Sequence, residues 1–179
     1  GAIVEGFSLP KIDNDILHYD LLIKKKLFKS KFKSHYGDIR NTDFLEKKLK
    51  KFNPDIIFHL AAQPLVIDSY KDPFYTMKTN VLGTANLINA CLNLKNLKSI
   101  IIVTSDKCYE NNELKNSFKE DDKLGGDDPY SASKAASEII ANSYFKSYFN
   151  KIGFATVRSG NVIGGGDKSK NRIIPDIIN

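Results

Sequence analysis

The string Tyr130-Ser131-Ala132-Ser133-Lys134 carries the clearest chemical signal in this chain. A spacing of four puts the tyrosine and the lysine on one face of a helix. An ammonium there favours the phenolate and brings the tyrosine into range for proton transfer near neutral pH. Such a phenolate can take a proton from a hydroxyl while hydride leaves the same carbon. Alone, the spacing also describes an ordinary exposed helix face. A second group, Thr104-Ser105-Asp106-Lys107-Cys108-Tyr109-Glu110-Asn111, sets a hydroxyl, a carboxylate and an amine directly after an apolar run. By itself it reads equally as a polar strand-to-loop turn. His59-Leu60-Ala61-Ala62-Gln63 and Ser159-Gly160-Asn161-Val162 close two more apolar runs. Their small residues admit either a ligand against the backbone or a closely packed helix.

These groups need a frame that gathers strand ends, and the hydrophobic pattern predicts one. Ala2-Ile3-Val4 and the runs 55–60, 99–104 and 153–158 are β-prone. Continuous apolar runs of this kind predict parallel strands buried on both faces. Helical patterns separate them. Asn41 or Thr42 caps a helix running to about Phe52, with Phe44, Leu45 and Leu49 on one face. Phe74, Met77, Val81, Leu82, Leu87 and Ile88 predict a long helix before the third run. Pro129 at a first turn, followed by Ala135, Ala136, Ile139, Ile140 and Tyr144, predicts another. Strand and helix alternate, so the expected fold is a doubly wound α/β sheet of Rossmann type, with its chemistry at the carboxyl ends of the strands. The polar, Gly-rich stretch 106–128 reads as a long functional loop. No Gly-x-x-Gly-x-x-Gly lies near the start, and Gly164-Gly165-Gly166 has the wrong spacing for a pyrophosphate-binding turn. The expectation is one partial domain over 1–179, truncated at the N-terminal strand and Gly-rich loop and lacking a C-terminal substrate domain.

Composition narrows the function classes. With 179 residues and a hydrophobic fraction of 41%, the chain can build a core and is not of disordered type. No apolar run approaches the roughly 20 residues of a membrane span. No secretory leader is visible, and the first residue is Gly1. Cys91 and Cys108 have neither metal nor redox spacing, which fits free thiols in a reducing cytoplasm. The net charge of +6 gathers in Lys24, Lys25, Lys26, Lys29, Lys31 and Lys33 and in Lys47, Lys48, Lys50 and Lys51. Without a nucleic-acid motif beside them, these lysines read as solvated faces. Asp72, Asp121, Asp122 and Asp127 read as loop carboxylates, and His59 as a packed strand-end histidine. Nothing has the spacing of a metal site.

Six strings occur in order along the chain: Gly37-Asp38-Ile39-Arg40, His59 to Val66, Thr79-Asn80-Val81-Leu82-Gly83-Thr84, Thr104 to Asn111, Asp128 to Lys134, and Gly160 to Asp167. Together they resemble the motifs of the extended short-chain dehydrogenase/reductases, the NAD-dependent epimerases and dehydratases of nucleotide sugars. The strings from Ser105 to Asn111 and from Gly160 to Asp167 resemble the CDP-glucose 4,6-dehydratase branch. The resemblance implies a lyase with retained NAD that turns CDP-glucose into CDP-4-keto-6-deoxyglucose for deoxysugar and lipopolysaccharide synthesis. It implies a cytoplasmic homodimer without nucleic-acid or membrane partners. Tyr130 would be the base at the C4 hydroxyl, with Lys134 lowering its pKa and holding the nicotinamide ribose. Ser105 would hydrogen-bond the C4 oxygen, Asp106 would protonate the departing C6 hydroxyl, and Lys107 would sit at C5 as base or as enolate stabiliser. Asp38 and Ile39 would contact adenine, and Leu60, Ala61, Ala62, Gln63 and Thr104 would line the cofactor. Asn80 would order the active-site helix, and Asn161 would meet the substrate diphosphate. Lys107 departs from the dTDP-glucose relatives, which carry Glu there. The alternatives are another nucleotide-sugar epimerase or a dTDP- or GDP-type dehydratase of the same fold, and a non-catalytic NAD-binding or interaction domain.

Overall fold

The computed structural model describes residues 1–10, 32–110, 117–164, 167, 169 and 171–178. Lys24, Lys25, Lys26, Lys29, Lys31, Asn111, Gly165 and Gly166 lie outside the described residues. The chain divides into two compact units, residues 1–38 with 161–179 and residues 39–160.

In the first unit, β1 (Val4–Ser8) and β2 (Phe32–Tyr36) pair in parallel, with Gly6 opposite Ser34 and Phe7 opposite His35. Glu5 and His35 meet across the pair at 2.7 Å. The strand starts at Val4 rather than Ala2, and the solvated face assigned to Lys33 is part of a strand. Its signal was weak, because Ser34 interrupts the apolar face between Phe32 and Tyr36.

The second unit holds a parallel sheet of three strands in the order β3 (Ile56–His59), β4 (Ser99–Val103) and β5 (Gly153–Val157). Register aligns Ile57 with Ile100 and Phe154, and His59 with Ile102 and Thr156. Ile57, His59, Ile100 and Ile102 are buried. The opposite face is not covered as expected, since Ile56 and Phe58 are more than half exposed. The cause is handedness. Parallel crossovers are right-handed, so two consecutive ones moving in the same direction put their helices on one side of the sheet.

Local signals place those helices. α1 (Thr42–Phe52) starts where the Asn41 side chain accepts the Phe44 N–H and stops at Asn53, which adopts a left-handed φ of 50°. α2 (Val66–Lys71) leads to α3 (Pro73–Met77), where the Asp72 carboxylate accepts the Tyr75 N–H at 2.8 Å. Asp72 is therefore a cap and not merely a loop carboxylate. The expected long helix continues through a π-turn (Lys78–Leu82) into α4 (Gly83–Cys91). α5 (Pro129–Tyr148) opens on Pro129, with Asp128 as its cap, and packs against α2, α3, the π-turn and α4. α6 (Ile173–Ile178) belongs to the first unit. Cys91 and Cys108 are both free and buried. No helix among the described residues is long and apolar enough to cross a membrane.

Candidate active site

Tyr130 and Lys134 are 9% and 8% exposed, which removes the exposed-helix reading of their spacing. Three features hold the tyrosine. Asp128 Oδ1 accepts the Ser131 N–H at 2.9 Å, and Asp128 Oδ2 accepts the Ser131 hydroxyl at 2.5 Å. The Tyr130 N–H, one of the donors that a helix start leaves without a partner, goes to the buried Ser69 Oγ of α2 at 3.2 Å. Gly126 lies so close to this helix start that a Cβ there would stand 2.4 Å from the Ala132 nitrogen.

The Lys134 Nζ donates to the Val103 carbonyl at the end of β4, 3.3 Å away, and lies 6.0 Å from the Tyr130 ring centre. Burial pulls the Lys134 ammonium below the ordinary lysine range, while Cys108 and Glu138 act in the opposite direction. Burial pushes the Cys108 thiol up to about 11, so it is uncharged at neutral pH. Glu138 is then the anion that steadies Lys134.

The Ser105-Asp106-Lys107 string lies where β4 ends, as expected. Ser105 is 6% exposed, and its hydroxyl donates to Asp106 Oδ1 at 3.1 Å. A short 3₁₀ turn, Asp106–Cys108, follows and packs on α5. The side chains of Asp106 and Lys107 are exposed. Tyr109 then pairs with Leu124 as an antiparallel bridge, which folds the long loop back on itself.

A polar knot centred on Asn80 backs the helix. Its Oδ1 accepts the Gln63 N–H at 2.8 Å, and its Nδ2 donates to the Gln63 carbonyl at 3.1 Å and the Ser133 hydroxyl at 2.8 Å. The π-turn leaves the Asn80 carbonyl to the hydroxyls of Thr84 and Ser137, at 2.6 and 3.0 Å. Because Thr84 donates its proton there, the 2.9 Å contact with His59 has the histidine Nε2–H as donor. Burial, with Lys134 as a lesser cause, lowers the His59 pKa to about 4. His59 is thus the neutral, packed histidine expected from its place at a strand end.

The other expected cofactor residues divide by environment. Gln63, Asn80 and Thr104 are buried, with their side chains hydrogen-bonded inside the fold. Leu60 is exposed, and Ala61 and Ala62 are half-buried after β3. Ile39 is buried against Gly83, where a Cβ would stand 2.8 Å from its Cγ2. Asp38 and Asn161 belong to the first unit.

Sequence reasoning missed Ser69, Ser137, Glu138 and Arg158. One signal for Glu138 was available. It follows Lys134 by four residues, on the same helix face as Tyr130.

The profile of the family described as GDP-mannose 4,6 dehydratase matches residues 13–165. The CDP-glucose 4,6-dehydratase of Salmonella typhimurium (strain LT2) is 42% identical, over 99% of this chain and 50% of the relative. The chain therefore spans about half the length of that relative. A crystal structure of DesIV, a dTDP-glucose 4,6-dehydratase from Streptomyces venezuelae, in double-mutant form with NAD bound, superposes with a TM-score of 0.76. It is 25% identical, over 87% of this chain and 46% of that one. A UDP-glucuronic acid 4-epimerase from Bacillus cereus, in complex with UDP-glucuronic acid and NAD, superposes at 0.70. It is 26% identical, over 87% of this chain and 47% of that one.

Proposed function

The chain belongs to the GDP-mannose 4,6 dehydratase family, and on that premise we propose that the protein carrying it dehydrates CDP-glucose to CDP-4-keto-6-deoxyglucose with NAD as cofactor. The observation that carries this reading is the pairing of two chemistries. A buried Tyr130–Lys134 pair lies on α5, and the Ser105–Asp106–Lys107 strand end packs against that helix. An epimerase needs only the first. The 42% identical CDP-glucose 4,6-dehydratase supports the choice of sugar nucleotide.

The donor set suits the cofactor. Of the three N–H groups of Lys134, the Val103 carbonyl takes one, which leaves donors for the adjacent hydroxyls of a nicotinamide ribose. Ala61 and Ala62 would border the dinucleotide with minimal side chains. When bound, NAD would supply a hydride acceptor for C4 of the sugar and a hydride donor for C6.

The chain's own residues move protons. Tyr130, as phenolate, takes the proton of the C4 hydroxyl, and the Lys134 ammonium stabilises that phenolate. With substrate bound, the Ser105 hydroxyl would turn from Asp106 Oδ1 to donate to the C4 oxygen and hold it as the ketone forms. The ketone acidifies the C5 proton. Asp106 then delivers a proton to the departing C6 hydroxyl, which leaves as water. Lys107, a base only in its neutral form, would take the C5 proton as that water leaves and give it back to C5 once hydride reaches C6.

The test uses the intact gene product. It is incubated with CDP-glucose and, separately, with dTDP-glucose, without added NAD, and the alkaline absorbance of a 4-keto-6-deoxy sugar is followed. Product from CDP-glucose alone supports both chemistry and branch. Product from dTDP-glucose alone keeps the mechanism and overturns the branch. Product from neither, with NAD then supplied, overturns the dehydratase.

A further inference from the structure

Glu138 is 4% exposed, and its carboxylate accepts three hydrogen bonds from the ends of β4 and β5. Its Oε1 accepts the Thr104 hydroxyl at the end of β4. Its Oε2 accepts the Thr156 hydroxyl of β5 at 2.8 Å and the Arg158 Nη2–H at 3.1 Å. Taking a carboxylate out of water costs several kcal/mol unless every lone pair is matched, and a well-packed apolar residue would fill the same space without that cost. Packing alone does not account for it. The position does. Glu138 lies one turn beyond Lys134 on the same helix face, and Thr104 directly precedes Ser105.

We propose that Glu138, held by Arg158, is a positioning residue that locks the β4 end carrying Ser105 and Asp106 against the helix face carrying Tyr130 and Lys134. Arg158 extends the lock to the loop. Its Nη1 donates to the Glu120 carbonyl at 2.8 Å, and its guanidinium lies 4.7 Å over the Tyr109 ring. Burial opposes the Arg158 charge, but the hydrogen bonds to Glu138 and Tyr109 and the Glu138 charge outweigh it and raise its pKa. Arg158 therefore stays charged at any working pH. The groups that face Lys134 are His59 from β3, Cys108 from the 3₁₀ turn, and Glu138 and Tyr130 on its own helix, the Tyr130 ring centre 6.0 Å away. His59 is neutral and Cys108 is a thiol, so with Tyr130 as the phenol the clamp sets the local field as well as the spacing. The catalytic roles named here rest on the dehydratase reading.

The test uses the intact gene product labelled with ¹³C-lysine, with the Lys134 signal assigned by its loss in Lys134→Arg. Glu138→Gln is expected to move the Lys134 titration down by about half a unit, and Arg158→Gln to move it up by a similar amount. Thr104→Val, which changes no charge, leaves that titration in place. It lowers kcat about tenfold while KM for the sugar nucleotide stays within about threefold, because misplacement acts on the reacting geometry. Shifts that are absent or of the same sign, or a Thr104→Val protein with full kcat, overturn the proposal. Where a single charge variant fails to fold, the double variant Glu138→Gln/Arg158→Gln removes both charges of the pair together. It is expected to restore the titration with kcat still reduced, and full kcat there also overturns the proposal. The titration needs no turnover. A wild-type protein that makes no 4-keto product therefore overturns the dehydratase reading, while the signs of the shifts still decide the clamp.

Discussion

Two braces hold α5, and they are built from opposite materials. The Asn80 knot is neutral: an amide, three hydroxyls, a backbone loop and an uncharged histidine. The Glu138 clamp is an ion pair with two threonine hydroxyls. Both supply directional bonds where an apolar contact would allow sliding. A neutral brace fixes position without adding to the field at Lys134, whereas a charged one does both. The neutral brace packs the catalytic helix against the preceding helices. The charged brace faces the strand ends, Thr104 next to Ser105 on one side and Thr156 on the other.

The comparison is sharpest if the two braces are broken separately. Asn80→Ala leaves the Gln63 N–H and carbonyl buried without partners and opens a cavity. It is expected to cost about 4 kcal/mol in urea unfolding, with the Lys134 titration in the folded fraction unmoved. A titration shift as large as that of Glu138→Gln would erase the distinction between the braces.

The neutral brace also has an acid limit. The folded pKa of His59, about 4, is below its ordinary value of 6.5, so the unfolded chain binds the proton first as pH falls. Stability is whole above pH 6.5 and declines towards pH 4. The expected loss between pH 7 and pH 4.5 is about 2.4 kcal/mol, and most of that dependence disappears in His59→Gln. Urea midpoints at the two pH values check this.

Smaller effects come from the start of the helix. Ser69→Ala removes the acceptor of the Tyr130 N–H and is expected to cost about 1.5 kcal/mol, with kcat falling more than KM rises. Asp128→Ala removes the cap at about 1 kcal/mol, measured as a lowered Tm. If Asp128→Ala proved the more damaging to kcat, the tyrosine would depend on its own helix cap rather than on α2.

Some of this was readable in advance because it depends on neighbours along the chain. The Asn41 cap, Pro129 at a first turn and the strands ending in His59 and Val103 follow from residue type and period. β2 was obscured because Lys33 stands among many lysines. The π-turn at Lys78–Leu82 has no breaker residue. It reflects hydroxyls on Ser137 and Thr84 competing for the Asn80 carbonyl, and Ser137 lies on another helix.

The same division holds for the site. The sequence by itself determined that a tyrosine and a lysine share a helix face, and that a hydroxyl, a carboxylate and an amine follow a strand. Periodicity and strand order are local properties, and they suffice for that much. Only the tertiary structure decided that Tyr130 and Lys134 are buried while Asp106 and Lys107 face outward. It alone decided that Glu138 meets Thr104 across 34 positions of chain. Burial sets the cost of each charge and the partner that offsets it, and neither is a property of a residue's neighbours in sequence.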